Sequence, residues 1–412
     1  MDHQSQFQTD AMDGSEQLER KPNRAILVGV DRDTDGLWNA EDSLDELAEL
    51  IETAGSEAVG TVIQRRLSPD PRTYVGTGKV EEIKHLLEMQ QADLVVADDE
   101  LSPAQVRNLE RAFNDVRVID RSQVILDIFA KRAQTSEGKL QVELAQLRYL
   151  LPRLTGRGVE MSRLAGGIGT RGPGETRLET DRRRIRERIA GLRKRLERVR
   201  AHREIQRQGR QKSDKPIAAL VGYTNAGKST LLTALTSEVT FIEDQLFATL
   251  DPTIRSLDSE FGTSFFVVDT VGFINKLPHE LVAAFRATLE EVVEADVLIH
   301  VIDVSSPGWE AQAETVHAVL KELGVDHYPT VTAFNKVDRL ENGAASLAGP
   351  LRRTPHSVAI SALTENGLDA LVKEVETVIP DPWVECELAL PYTEGRTIDW
   401  VHRHGKILAT DY

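Results

Sequence analysis

Cysteine is nearly absent from this chain: of 412 residues, only Cys386 carries a thiol. No intramolecular disulfide can form, and the reading that follows is a reduced protein of the cytoplasm. Long apolar runs are missing too. No window approaches the roughly eighteen consecutive apolar residues of a membrane-spanning helix, and no amphipathic anchor or lipidation motif stands out. The opening MDHQSQFQTDAMDGSEQLERK is polar and acidic, so residues 1–22 read as a disordered leader rather than a secretory signal. No tandem repeat of fixed period is present.

Positive charge is scarce overall, with 50 Lys and Arg against 66 Asp and Glu and a net charge of −16. Taken alone, that balance argues against a nucleic-acid partner. Its distribution argues the other way. Residues 131–212 carry 23 Lys and Arg against 9 Asp and Glu, so that segment is +14 and the remainder −30. Such asymmetry points to a localised contact with a polyanion, the alternative being a solvated helix face.

Residues 23–133 alternate short apolar runs (RAILVGV, AVGTVIQ, ADLVVAD, DVRVID) with amphipathic segments (SLDELAELIETAG, VEEIKHLLEMQ, PAQVRNLERAF). That alternation predicts an α/β domain with a parallel sheet. YVGTGKVEEIK within it fails as a phosphate loop, because Thr73 stands where the first glycine is needed. A tight strand-to-helix turn is the reading there.

Residues 134–210 change character. Leu140, Leu144, Leu147, Leu151 and Leu154 follow a 4-3-4-3 spacing, and so do Ile185, Ile189, Leu192, Leu196 and Val199, with Leu178 one heptad upstream. Two such stripes predict an antiparallel coiled-coil helical hairpin, with Pro152 ending or kinking the first helix near Leu151. Fifteen helical residues span roughly 22 Å, so the hairpin projects. Its tip is LAGGIGTRGPGETRLETDRRR; a phosphate cradle is one reading, but heptad helices rather than a strand flank it, so its glycines are expected to keep the tip slender and mobile. Glu175 and Thr176 help to start the second helix, and HREIQRQGRQKSDKP reads as a linker.

Residues 211–380 return to alternation, with IAALVGY, SFFVVDT, DVLIHVID, TVTAFN and SVAIS as strands. GYTNAGKST follows the first of these and precedes an apolar helix, in the pattern G-x-x-x-x-G-K-[ST]. In this loop (Gly222, Tyr223, Thr224, Asn225, Ala226, Gly227, Lys228, Ser229 and Thr230) backbone N–H groups converge on phosphates. Lys228 supplies charge to the outer phosphates and the Ser229 hydroxyl ligates Mg²⁺. DTVG (Asp269, Thr270, Val271, Gly272) ends a strand about forty residues later, where a carboxylate holds Mg²⁺ through water and Gly272 brings its N–H to the γ-phosphate. NKVD (Asn335, Lys336, Val337, Asp338) closes another strand. The Asp338 carboxylate matches guanine N1–H and the exocyclic amine, which adenine cannot offer, so the motif selects GTP over ATP. SAL (Ser361, Ala362, Leu363) backs the base with main-chain N–H groups.

In this order and spacing the four motifs resemble a translation-factor-class P-loop GTPase. FATLD (Phe247, Ala248, Thr249, Leu250, Asp251) then falls at switch I, with Thr249 as a second Mg²⁺ ligand and Thr253 as a competing candidate. Many such GTPases place glutamine after the glycine of D-x-x-G to orient the attacking water. Here Phe273 stands there, so the group that activates the water is unassigned. Slow intrinsic hydrolysis, accelerated by a partner, is expected. Asn225 in TNAGKS resembles the asparagine of potassium-activated GTPases that helps to hold K⁺, against the simpler reading of a local turn role.

EGKLQVELAQLRYLLPRL, GGIGTRGPGETRLETDRR, LVGYTNAGKSTLLTALT, FATLDPT and DTVGFINKLPHELVAAFRATLEE together resemble the HflX family of ribosome-associated GTPases, over about residues 24–405. The resemblance implies a factor that binds the large ribosomal subunit and couples GTP hydrolysis to GDP to ribosome splitting or rescue under stress. It places the hairpin tip toward the peptidyl-transferase centre and the GTP-binding domain toward the GTPase-associated region. Arg171, Arg177, Arg182, Arg183, Arg184 and Arg186 are then the candidates for ribosomal RNA contact, with DNA no partner and the chain a monomer. The rival reading is an RNA-binding anti-association factor in which GTP is mainly structural. Members usually run beyond HGKILATDY into another strand, so 381–412 is expected to be a short, incomplete C-terminal domain holding the strand WVECELALP.

Overall fold

The computed structural model describes residues 22–32, 38–154, 173–210, 215–236, 246–247, 249, 252–258, 264–277, 289, 291–341, 343–379, 387–391, 394–404, 407 and 409–410. Residues 1–21, expected to be a leader, 155–172, which hold most of the expected tip, and the switch I candidates Ala248, Leu250 and Asp251 lie outside them. The chain divides after Val378 into two units, each treated by itself below.

The fold is α/β. In the N-terminal part, β1 (Arg24–Asp31), β2 (Glu57–Arg65), β3 (Leu94–Ala97) and β4 (Arg117–Asp120) form a wholly parallel sheet in the order β2-β1-β3-β4. β1 is apolar and buried along almost its whole length because helices cover both faces of such a sheet. These helices are α1 (Ala40–Thr53), α2 (Thr77–Gln90), α3 (Pro103–Ala112) and α4 (Arg121–Arg132). α3 opens on a reciprocal capping box between Ser102 and Gln105, with Pro103 at the first helical position. The tight turn expected before α2 is absent. β2 ends at Arg65 and α2 begins at Thr77, and the intervening chain is fixed by Asp70, whose carboxylate accepts from the Arg72 N–H at 2.9 Å.

α5 (Ser136–Arg153) and α6 (Pro173–Arg210) pack their heptad stripes together: Leu140, Leu144, Leu147 and Leu151 against Ile185, Ile189, Leu192 and Leu196. α5 ends within two residues of Leu151, one residue past Pro152, as the proline predicts. Its last residue is Arg153, whose guanidinium covers the Tyr149 ring at 3.4 Å and binds Leu101 O at 2.9 Å. α6 begins at Pro173, ahead of Glu175, and runs through the stretch read as a linker as far as Arg210. Arg, Glu and Gln favour helix even where the apolar stripe has ended.

The third part holds a six-stranded sheet in the order β10-β9-β8-β5-β7-β6. Its parallel strands are β5 (Ile217–Gly222), β7 (Ser264–Asp269), β8 (Val297–Asp303), β9 (Thr330–Asn335) and β10 (Ser357–Ala359). β6 (Thr253–Asp258) runs antiparallel on the edge beside β7. No described helix is long and apolar enough to cross a membrane.

In the second unit, α11 (Gly395–His404) is helical, and residues 387–391 have no strand partner among the described residues. The rest of the expected strand, 383–386, lies outside the described residues. α7 (Lys228–Thr236), α8 (Trp309–Leu323), α9 (Ala348–Arg353) and α10 (Leu368–Val378) complete the helices named.

Candidate functional site

β5 lies between β7 and β8, so the loop that leaves its carboxyl end opens where neighbouring strands also end. The loop backbone is joined to the segment after DTVG by two hydrogen bonds. Thr224 N–H donates to Phe273 O at 2.8 Å, and Phe273 N–H donates to Gly222 O at 3.1 Å. Asn225 is exposed with φ +58°, a left-handed conformation that asparagine tolerates in turns. At Gly227 (φ +93°) a Cβ would lie 2.4 Å from Asn335 Nδ2, so no side chain fits. At Gly272 a Cβ would lie 2.8 Å from Thr224 Cα and 3.1 Å from Lys228 Nζ. DTVG and the phosphate loop thus approach one another at a distance only glycine permits.

Lys228, at the first turn of α7, is buried and donates to Tyr223 O at 2.7 Å and Gly222 O at 3.1 Å. Burial pulls its ammonium down to about 8, against the raising effect of nearby Asp269. Burial likewise pushes the Asp269 carboxyl up, opposed by Lys228 and by the hydroxyls of Ser229 and Thr249.

Three oxygens converge beside this lysine. Ser229 Oγ lies 2.7 Å from Asp269 Oδ2, Thr249 Oγ1 lies 2.8 Å from the same atom, and the two hydroxyls are 2.8 Å apart. Asp269 Oδ1 and Thr224 Oγ1 are buried with no hydrogen-bond partner among the described residues. A hard divalent cation and a phosphate would satisfy such orphaned oxygens. Among the described residues no group of three or more His, Cys, Asp or Glu could hold a metal. One carboxylate and two hydroxyls suit Mg²⁺, which takes its remaining ligands from phosphate and water. Thr249, not Thr253, stands at this cluster; Thr253 opens β6, opposite Asp269 in the strand register.

The residues expected to read the base are also brought together. Asn335 Nδ2 donates to Ala226 O at 2.9 Å, and its Oδ1 accepts from Ala362 N–H at 2.9 Å. It ties the phosphate loop to the SAL loop. Asp338 Oδ1 accepts from Ser361 Oγ at 2.6 Å. Lys336 (φ +64°) pairs with Asp303 at 2.8 Å, and Val337 is buried beneath them. Leu363 is exposed, Thr270 Oγ1 is spent on Leu220 O at 2.6 Å, Val271 is buried, and Thr230 is half-buried on α7. Phe273 is 1% exposed and lies in the core, so its side chain faces no water.

Of the arginines, Arg183, Arg184 and Arg186 are exposed on α6 and Arg182 is half-buried. Arg171 and the side chain of Arg177 lie outside the described residues.

Sequence reading missed a group that reaches this site from the N-terminal domain. Tyr223 OH donates to Glu46 Oε1 and accepts from Asn275 N–H at 2.7 Å. Arg121, 1% exposed, binds Glu46 at 2.6 Å, Asp98 at 2.9 Å and Asn275 O at 3.1 Å. Lys276 pairs with Asp98 and, at 3.0 Å, with Asp99. Burial pushes the Glu46 carboxyl up, opposed first by the Arg121 charge. No sequence signal marks these residues, since each is an ordinary charge far in sequence from its partners.

Residues 41–130 match the family described as GTP-binding GTPase N-terminal, 132–210 the GTP-binding GTPase middle region, and 217–336 the 50S ribosome-binding GTPase. The chain is similar to GTPase HflX of Caldanaerobacter subterraneus subsp. tengcongensis, 47% identical over 97% of this chain and 91% of that protein. It is similar to GTPase HflX of Lacrimispora saccharolytica at 50%, over 96% and 92%, and to that of Escherichia coli at 46%, over 86% and 83%. Among solved structures, a crystal structure of SsGBP with GDP is 26% identical, covering 86% of this chain and 98% of its own, with a TM-score of 0.47.

Proposed function

The chain belongs to the HflX family of GTPases, and on that premise we propose that it binds the large ribosomal subunit and uses GTP to split or rescue ribosomes under stress. Hydrolysis of GTP to GDP and phosphate is the activity of the family. The observation that carries the proposal is the division of α6 into two faces. Ile185, Ile189 and Leu192 turn to the hairpin seam, while Arg183, Arg184 and Arg186 are left in solvent. An exposed basic face on a helical arm suits the phosphates of ribosomal RNA.

The nucleotide acts as the switch. Lys228 neutralises the outer phosphates, and the Asp338 carboxylate reads the guanine edge while Ser361 holds it in place. Ser229, Thr249 and, through water, Asp269 would hold Mg²⁺, whose charge offsets that building up on the phosphates. Asn225 is the residue through which K⁺ would act. Thr249 and Gly272 meet the γ-phosphate, and its loss releases them. With Phe273 in the core, this chain has no glutamine to orient the water at that position. Turnover alone is therefore slow, and the ribosome supplies the missing activation. We take the working form to be a cytoplasmic monomer that does not use DNA.

Co-sedimentation with large subunits in each nucleotide state tests the proposal. A GTP analogue that cannot be hydrolysed should hold the protein on the subunit and GDP should release it. In a splitting assay the same analogue should support a single round. Repeated rounds with it would favour an anti-association factor with structural GTP.

A further inference from the structure

We infer that the N-terminal domain is a working part of the nucleotide switch. Phe129 and the Glu46–Arg121 pair are positioning residues that hold switch I and the segment after Gly272 in their γ-phosphate-sensing arrangement. The inference rests on reading Thr249 and Gly272 as the γ-phosphate sensors.

Switch I comes first. Phe247, two residues before Thr249, is 2% exposed and has φ +57°. Phenylalanine rarely adopts that conformation, so something must hold it there. Its ring meets the edge of Phe129 on α4, with centroids 4.6 Å apart and planes at 71°. Both rings belong to one buried cluster that also takes in Val142 and Ala145 of α5. With Phe247 seated, Thr249 stands against Ser229 and Asp269.

The segment after Gly272 is held by the same domain. Both backbone polar groups of Asn275 are taken. Its N–H goes to Tyr223 OH, which Glu46 fixes, and its C=O goes to Arg121. The next residue, Lys276 (φ +56°), reaches Asp98 and Asp99. Trp38 stacks on the Tyr223 ring at 6.1 Å. None of these N-terminal residues touches the three-oxygen cluster, so each can act only by placing what does. GDP has no γ-phosphate, so its binding should not depend on these contacts.

Affinities for GDP and for the non-hydrolysable analogue GDPNP, measured on the full chain, test this. Phe129→Leu keeps an apolar side chain in the core but loses the edge contact. It should weaken GDPNP binding by about two- to tenfold, the worth of an aromatic pair, with GDP binding unchanged. Lys276→Met keeps the stem of a partly exposed side chain and endangers no core. Asp98 retains Arg121, and Asp99 retains Arg32 and Tyr74. It should shift the GDPNP-to-GDP ratio in the same direction. Paired with Phe247→Leu, Phe129→Leu should show a non-additive effect on GDPNP binding. Equal losses for both nucleotides, or no change in either variant, would overturn the inference. Thr249→Ala is the control: if it leaves the ratio unchanged, the reading of the sensors has failed instead.

Discussion

Asp120 and Arg121 share a peptide bond and serve different parts of the molecule. Asp120 takes the base of the hairpin, accepting from Tyr149 OH at 2.8 Å and from Arg153 Nη2 at 3.0 Å. Arg121 takes the nucleotide domain, through Asn275 O and through Glu46, which binds Tyr223. Asp120 also caps α4 through Gln123 N–H at 3.0 Å, so the helix begins at the junction of the two grips.

Arg121→Met should destabilise the protein severely. Asp98 is buried and Glu46 is nearly so, and both lean on this guanidinium. Removing one partner from such a set costs about 3–5 kcal/mol, because the remaining charges stay buried. Urea denaturation should show the fall in midpoint. Arg121→Lys should recover little of it, since an ammonium cannot span Glu46, Asp98, Asn275 O and Ser43 O in a planar fork.

Asp338→Asn should abolish guanine preference. An asparagine oxygen can still accept from Ser361, but its amide nitrogen would face a guanine donor. A hydrogen bond to a charged group is worth about 1.5–3 kcal/mol, so GTP affinity should drop roughly ten- to a hundredfold. Xanthosine triphosphate, which presents an acceptor at C2, should bind the variant better than it binds the unaltered protein. Competition binding with both nucleotides decides the matter.

Lys228 sets a pH dependence. Burial lowers its affinity for a proton in the free protein to about 8, whereas bound phosphate demands the ammonium. Below that pH the lysine is already charged and GDP affinity should be flat. Above it a proton must be taken up on binding, and affinity should fall by roughly tenfold per pH unit. Titrations from about pH 7 to about pH 9.5 should show this bend, and Lys228→Ala should bind weakly without it.

Neutralising Arg182, Arg183, Arg184 and Arg186 should weaken binding to the large subunit and leave GTP affinity intact. Each lost phosphate contact should flatten the slope of log K against log salt by about 0.7–0.9. An unchanged slope would remove α6 as the RNA anchor.

The candidate nucleotide site was legible because its chemistry is local. In GYTNAGKST, DTVG and NKVD the turn, the charge and the ligand stand within a few residues, and apolar strands frame them. Thr249 was separable from Thr253 only in space, by its distance to Ser229 and Asp269. The edge strand β6 escaped because TIRSLD has neither a buried run nor a strict alternation. The helical continuation to Arg210 escaped because it rests on residue preference rather than on an apolar stripe. Glu46, Asp98, Arg121 and Lys276 escaped for a deeper reason: as sequence they are surface-type charges, and only the fold joins them into one linked group around the buried Arg121.

The most direct test of the account is the GTPase rate measured with and without large ribosomal subunits. With Phe273 buried where other GTPases orient water, turnover should be slow alone and rise steeply when subunits are added. Equally fast turnover in both conditions would contradict it.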